Sequence, residues 1–253
     1  MAMKPDHPQP YIFVPKQGEA RLLFVLLHGE SAKPDQLFPL AQAIKLAFPS
    51  AVVVLPFAYA HSSGPGESSP MLYSWIEPGS EHEQSYAGRV KQGLPELIEL
   101  VKSLQAQYGL SGEETALAGY SQGACMALEA SLAQPDLAGR VLAFSGLYAR
   151  QPDAAPPATL LHFFHGADDT QVLAHDVAST LARLEELQGD ATLDVASDIG
   201  HELHEALIQQ AIVRLQTCVP LRNWQAALAL LQQQAQESEE QCQLPDRPGR
   251  TLH

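Results

Sequence analysis

Seven short apolar runs recur along this chain: Tyr11–Val14, Leu22–Leu27, Ala51–Leu55, Thr115–Ala118, Val141–Phe144, Thr159–Phe164 and Ala191–Ala196. Several are nearly continuous rather than alternating. Such runs suit strands buried on both faces, as in a parallel sheet covered by helices. The segments between them carry helical spacing. Val90, Leu94, Leu97, Ile98, Val101 and Leu104 form one apolar stripe, Val177, Leu181, Leu184 and Leu187 a second, and Leu203, Leu207, Ile208, Ala211, Ile212 and Leu215 a third. Alternation of strand and helix implies an α/β fold: a mainly parallel, doubly wound sheet with helices on both faces. With 253 residues, 45% of them apolar, the chain can bury a sizeable core, and whole-chain disorder is excluded. No internal repeat of fixed period is present.

Three segments stand outside this rhythm. Residues 1–10 hold three prolines and no apolar periodicity, and read as a flexible leader to a domain spanning 11–220. Residues 57–85 are dense in Gly, Pro and Ser and read as a long loop. Met71, Leu72, Tyr73, Trp75 and Ile76 give that loop something apolar to dock, so it is expected to line a pocket. Beyond Pro220, Leu221, Trp224, Leu228, Leu231 and Ala235 form a last stripe, followed by a polar tail. Residues 221–253 therefore read as a terminal helix with a frayed end.

Charge and cysteine usage narrow the function classes. A net charge of −14 is repelled by phosphate backbones and by anionic membrane surfaces, so neither nucleic acid nor a membrane is an expected partner. No apolar run approaches the ~18 residues needed to span a bilayer, and the N-terminus lacks the apolar stretch of a secretory signal. Cys125, Cys218 and Cys242 are odd in number and far apart. They argue against a disulfide framework or a cysteine-based zinc site and suit a reducing compartment, with the cytoplasm as the expected location.

The strongest chemical signal is Gly119-Tyr120-Ser121-Gln122-Gly123, a G-x-S-x-G pattern that follows an apolar run and opens the helical pattern Ala124–Leu132. A strand-turn-helix of this kind lifts the serine hydroxyl above the sheet in a strained conformation. Glycines flank the serine because side chains there would collide with strand and helix. The new helix points its first N–H groups and its positive dipole end at a developing oxyanion.

A serine hydroxyl is a weak nucleophile near neutral pH and needs a base, which in turn needs an orienting carboxylate. In this architecture both follow the serine in order, in loops after later strands. The run Thr159–Phe164 leads into His165-Gly166-Ala167-Asp168-Asp169, and Ala191–Ala196 leads into Ser197-Asp198-Ile199-Gly200-His201. Chain logic alone does not separate Asp168 from Asp169. His201 follows Gly200 in the loop, whereas His204 is expected about a turn into the next helix, so His201 is preferred. No metal site is expected: His201 and His204 lack the i, i+4 spacing of a zinc helix, and His162 and His165, three apart on one strand, point to opposite faces. Cys125 reads as a buried small apolar group rather than a second nucleophile.

The second oxyanion donor is expected from the loop after an early central strand, and Leu22–Leu27 ends in His28-Gly29-Glu30. Gly29 would let the backbone approach the reacting carbonyl, and the Glu30 N–H would donate beside that of Gln122. His28, Gly29 and Trp75 are the candidate substrate-contacting residues. Trp75 has two open readings, the wall of an acyl pocket or the pin of its own loop.

These residues together resemble the phospholipase/carboxylesterase family of α/β hydrolases, which includes acyl-protein thioesterases, over roughly Arg21 to Val219. LLFVLLHG resembles the family's first central strand, LAGYSQGACMAL its nucleophile elbow, FFHGADDTQV its HGxxD block and DIGH its histidine loop. In the HGxxD block the aspartate is the fourth residue after the histidine, so the resemblance selects Asp169. It implies an α/β-hydrolase fold and a Ser121–His201–Asp169 triad needing no cofactor. The substrate would be a small-molecule acyl ester or thioester, and a homodimer is permitted. The pattern looks most like a bacterial cytoplasmic serine esterase. It departs from the family where HG continues Glu30-Ser31-Ala32, and in the extension after Pro220.

The expected function is therefore a serine carboxylesterase or thioesterase working through an acyl-enzyme. The rival readings are a peptidase or acyltransferase on the same triad, and an inactive scaffold that binds a ligand or partner.

Overall fold

The computed structural model describes residues 8–63, 71–77 and 85–218. The chain divides into two compact units, Met1–Gln216 and Thr217–His253, and of the second only Thr217 and Cys218 are among the described residues. Most of the 1–10 leader and the helix expected within 221–253 thus lie outside them.

Seven strands make the main sheet: β1 (Tyr11–Phe13), β2 (Leu22–Leu27), β3 (Ala51–Leu55), β6 (Thr115–Tyr120), β7 (Arg140–Phe144), β8 (Leu160–Gly166) and β9 (Ala191–Ala196), with β4 (Ala60–Ser63) and β5 (Met71–Ser74) forming a separate antiparallel ribbon. The spatial order is β1-β3-β2-β6-β7-β8-β9, with every pairing parallel except β1 on β3. All seven apolar runs of the sequence are strands of this sheet. β3, β6 and β8 are buried along their whole length, which is why their sequences do not alternate. β1 is an edge strand, with Tyr11 and Ile12 exposed.

The helices are α1 (Phe38–Ala47), α2 (Tyr86–Tyr108), α3 (Gln122–Ala133), α4 (Ala174–Glu186) and α5 (Glu205–Thr217). Leu40 and Ile44 of α1 and Leu207, Ile208 and Ala211 of α5 pack on one face of the sheet against Phe24, Leu26, Val53 and Phe144. Val90 and Leu97 of α2, Ala124 and Leu128 of α3, and Val177 and Leu184 of α4 pack on the other, against Leu23, Val25, Leu117 and Phe163. Alternate residues of one strand thus feed opposite cores.

Two elements depart from the sequence reading. α1 was not expected: its stripe of Leu37, Leu40, Ala41 and Ile44 is short and follows a 3-10 turn at Pro34–Leu37. The 57–85 region is not loop throughout, since β4 and β5 pair within it and Tyr73, Trp75 and Ile76 are buried. Its segments 64–70 and 78–84 lie outside the described residues.

Candidate active site

β2 and β6 are neighbours in the middle of the sheet, in register with Leu27 opposite Gly119. The loops after them therefore emerge side by side at the carboxyl edge. β7, β8 and β9 follow in order, so the loops after β8 and β9 reach the same edge.

The turn after β6 is as tight as its glycines imply. A Cβ on Gly119 would stand 2.2 Å from the Gly123 carbonyl carbon, and one on Gly123 would stand 2.1 Å from the Leu27 oxygen. Ser121 between them has φ 53° and ψ −114°, a conformation that an L-residue holds only at a cost. Its N–H donates to the Phe144 carbonyl at 2.9 Å, which ties the elbow to β7. α3 begins at the next residue, so the Gln122 N–H has no acceptor within its helix.

The structure brings Ser121, His201 and Asp169 together. His201 Nε2 lies 3.0 Å from Ser121 Oγ, and His201 Nδ1 lies 2.8 Å from Asp169 Oδ2. Asp169 is 3% exposed, whereas its neighbour Asp168 is exposed, and only Asp169 reaches the imidazole. The other Asp169 oxygen, Oδ1, accepts the N–H groups of Gln171 and Val172 at 2.9 Å each. Burial pushes this carboxyl up, but the N–H of Val172, the His201 ring and the N–H of Gln171 outweigh it and hold the group below the usual carboxylate range. An ionised Asp169 fixes the proton of His201 on Nδ1 and leaves Nε2 free to accept from the serine hydroxyl. Under the acid sits His165, whose Nε2–H donates to the Val172 carbonyl at 2.7 Å.

His204 precedes α5 instead of lying a turn inside it. Its exposed ring accepts the Ala206 N–H at 3.2 Å, remote from Ser121 in its bonding. His162 is buried on β8 against Thr192. Among the described residues no three His, Cys, Asp or Glu side chains cluster so as to hold a metal ion. Cys125 is buried one turn into α3, and desolvation pushes its thiol up to about 12, which keeps it neutral.

The loop after β2 is held from behind. His28 and Trp75 are buried, at 0% and 2% exposure, with ring centroids 5.3 Å apart. The Trp75 indole N–H donates to the His28 carbonyl at 2.8 Å, and the Trp75 backbone N–H donates to Gln122 Oε1 at 2.7 Å. Trp75 thus pins its own loop to both the elbow and the β2 loop. His28 Nε2 accepts the Ala58 N–H at 3.2 Å, so the ring proton sits on Nδ1 and is donated to the Gly29 carbonyl at 2.8 Å. Desolvation lowers the His28 pKa to about 4, which keeps the ring neutral. Gly29 is buried against Tyr120, and the Glu30 N–H has no acceptor among the described residues.

Two contributors were not found in the sequence. Tyr120, the variable residue inside the elbow pattern, donates its hydroxyl to the His201 carbonyl at 2.8 Å and packs against that ring. Gln36 accepts the Gly29 N–H at 2.8 Å. Neither contact has a local pattern: one spans 81 positions, and the other needs a 3-10 turn to bring it about.

The family model of the phospholipases/carboxylesterases matches residues 8–219. Esterase YpfH of Escherichia coli K12 is 36% identical over 230 residues, covering 90% of this chain and 94% of that protein. The crystal structure of esterase PE8 superposes with a TM-score of 0.71 at 28% identity, over 84% of this chain and 98% of that one. The Bacillus cereus carboxylesterase shares the fold at 17% identity, with a TM-score of 0.66 over 81% of this chain and 91% of that one.

Proposed function

The chain belongs to the phospholipase/carboxylesterase family, and from that premise we propose that it cleaves carboxylic esters and thioesters through an acyl-enzyme on Ser121. The observation that carries this reading is the relay of contacts from Ser121 Oγ through His201 to Asp169, at 3.0 and 2.8 Å. His201 Nε2 takes the hydroxyl proton as Ser121 Oγ attacks the acyl carbon. The imidazolium that forms is stabilised by Asp169 and gives the proton to the departing alcohol or thiol. Water, deprotonated by the same ring, then attacks the acyl-enzyme, and the serine leaves with the proton returned.

The N–H groups of Glu30 and Gln122 receive the charge that develops on the carbonyl oxygen, a contribution of ~3–4 kcal/mol for each such donor. The Glu30 side chain is exposed and plays no part. No cofactor enters these steps. The same contacts would serve an amide as well, so the leaving group is a matter for assay. Three cysteines without a pairing pattern fit residence in the cytoplasm.

Turnover of p-nitrophenyl acyl esters from C2 to C16, of acyl thioesters and of acyl amides tests the reading, together with fluorophosphonate labelling. Wild type should turn over esters and label, whereas Ser121→Ala should remain folded, lose turnover by orders of magnitude and fail to label. Near-normal turnover in Ser121→Ala would refute the assignment.

A further inference from the structure

In the stretch Gly29–Ala32 of the loop after β2, three of the four backbone N–H groups are bonded. The Gly29 N–H donates to Gln36 Oε1 at 2.8 Å, the Ser31 N–H to Ser74 Oγ at 3.0 Å, and the Ala32 N–H to the Tyr73 carbonyl at 3.1 Å. The Glu30 N–H, between the first two, has no acceptor among the described residues. Ser31 has φ 48°, a left-handed conformation that a serine adopts only where its surroundings impose it. Two side chains impose it here. One comes from the 3-10 turn Pro34–Leu37, and the other from β5, in a part of the chain more than forty residues away.

We infer that Gln36 and Ser74 are positioning residues of the oxyanion site, clamping the peptides on either side of Glu30 so that its N–H is left, beside that of Gln122, to receive the substrate's carbonyl oxygen. This rests on the catalytic reading above and deepens it. A peptide unit carries its N–H and C=O on opposite sides, so the direction of the Glu30 N–H is set by the two peptides flanking it. Gln36 fixes the preceding one through the Gly29 N–H. Ser74 fixes the following one through the Ser31 N–H. Without either acceptor a neighbouring N–H becomes a competing donor, and the loop gains freedom to turn the Glu30 N–H away. An oxyanion donor acts by being in place before charge develops, so this loss falls on the transition state rather than on substrate binding. Ser74 lies on β5, whose Tyr73 also pairs with Ala32, so the donor's alignment is coupled to the seating of that strand.

The test compares Gln36→Met and Ser74→Ala, which remove the acceptors, with Gln36→Glu and Ser74→Thr, which keep one. The readouts are kcat and KM for p-nitrophenyl butyrate, and the inhibition constant of an alkyl trifluoromethyl ketone, whose adduct carries an oxyanion. Each acceptor-deleting variant should lower kcat about tenfold, leave KM within about twofold, and weaken the ketone by a factor parallel to the loss in kcat. Ser74→Thr should restore most of the kcat. Gln36→Glu should restore KM-independent turnover only in part, because its charge opposes the oxyanion. The inference is overturned if folded Gln36→Met and Ser74→Ala keep wild-type kcat and ketone affinity, or if the loss lies in KM alone. If Gln36→Met does not fold, the Ser74 pair decides by the same criteria. A failure of the underlying catalytic reading shows separately, as wild-type enzyme that resists fluorophosphonate labelling.

Discussion

Tyr120 and His201 are joined twice: the phenol hydroxyl donates to the His201 carbonyl at 2.8 Å, and the two rings pack with centroids 5.3 Å apart. The residue before the nucleophile therefore holds the loop that carries the base. Tyr120→Phe keeps the ring contact and deletes the bond. A hydrogen bond of this kind contributes ~1 kcal/mol net, so the variant should fold and lose kcat by roughly five- to tenfold, with KM little changed. Steady-state kinetics beside a thermal melt check this. An unchanged kcat would mean that the His201 loop stands without the phenol.

Asp169→Asn replaces an acceptor with a group that can present an N–H to His201 Nδ1. It then favours the tautomer with the proton on Nε2, where it no longer accepts from Ser121. The expected loss in kcat is roughly 10³–10⁴-fold at neutral pH. Asp168→Asn, changing the exposed neighbour, should cost little. Equal losses in both variants would remove Asp169 from the proposed relay.

The legibility of this chain follows from where its physics is local. Strands buried on both faces must be apolar throughout, so the runs of β2, β3, β6, β7 and β8 were visible. The elbow was visible because two backbone approaches near 2 Å admit only glycine at 119 and 123. α1 was hidden because ten residues opening on Phe38-Pro39 carry too short a stripe. The β4–β5 ribbon was hidden because Ser and His residues in β4 give no clear alternation. Asp168 and Asp169 are equivalent in chain logic, and only the resemblance to the HGxxD block separated them, because what distinguishes them physically is burial and a contact 32 positions away.

Gly123→Ala should be a folding defect rather than a catalytic one. Its Cβ would meet the Leu27 and His28 carbonyl oxygens at 2.1 and 2.5 Å, both fixed in the β2–β6 region. Backbone must move for the methyl to enter, at a cost of several kcal/mol. Insoluble expression or a sharply lowered melting temperature is expected. A stable variant at wild-type yield would mean that the strand ends can separate.

Cys125 should be silent to thiol reagents in the folded protein. It is 3% exposed, and burial raises its pKa to about 12, so almost no thiolate forms at neutral pH. In a Cys218→Ser, Cys242→Ser background, Ellman's reagent should find no thiol natively and one in guanidinium. Rapid native reaction would place Cys125 in an opening that reaches the α3 face.

Acid should begin to destabilise the protein before its carboxylates are titrated. Burial lowers His28 to about 4, and burial with the Arg140 and Arg214 charges lowers His162 to about 3, both from 6.5. The unfolded chain therefore binds two protons below pH 6.5 that the folded chain refuses. Stability is full above pH 6.5 and falls as pH drops toward 4, by up to about 1.4 kcal/mol per pH unit for each histidine. Below that range His28 no longer contributes, and His162 continues down to about 3. Asp169, held below its usual value, adds its own loss in the same direction as it finally protonates. Urea unfolding between pH 4 and 8 measures this directly. A His162→Gln variant should flatten the slope by about half, because it retains the bond to Thr192 Oγ1 without a titrating group. A profile that stays level from pH 7.5 to 4.5 would mean that these rings are solvated and protonate freely in the native state.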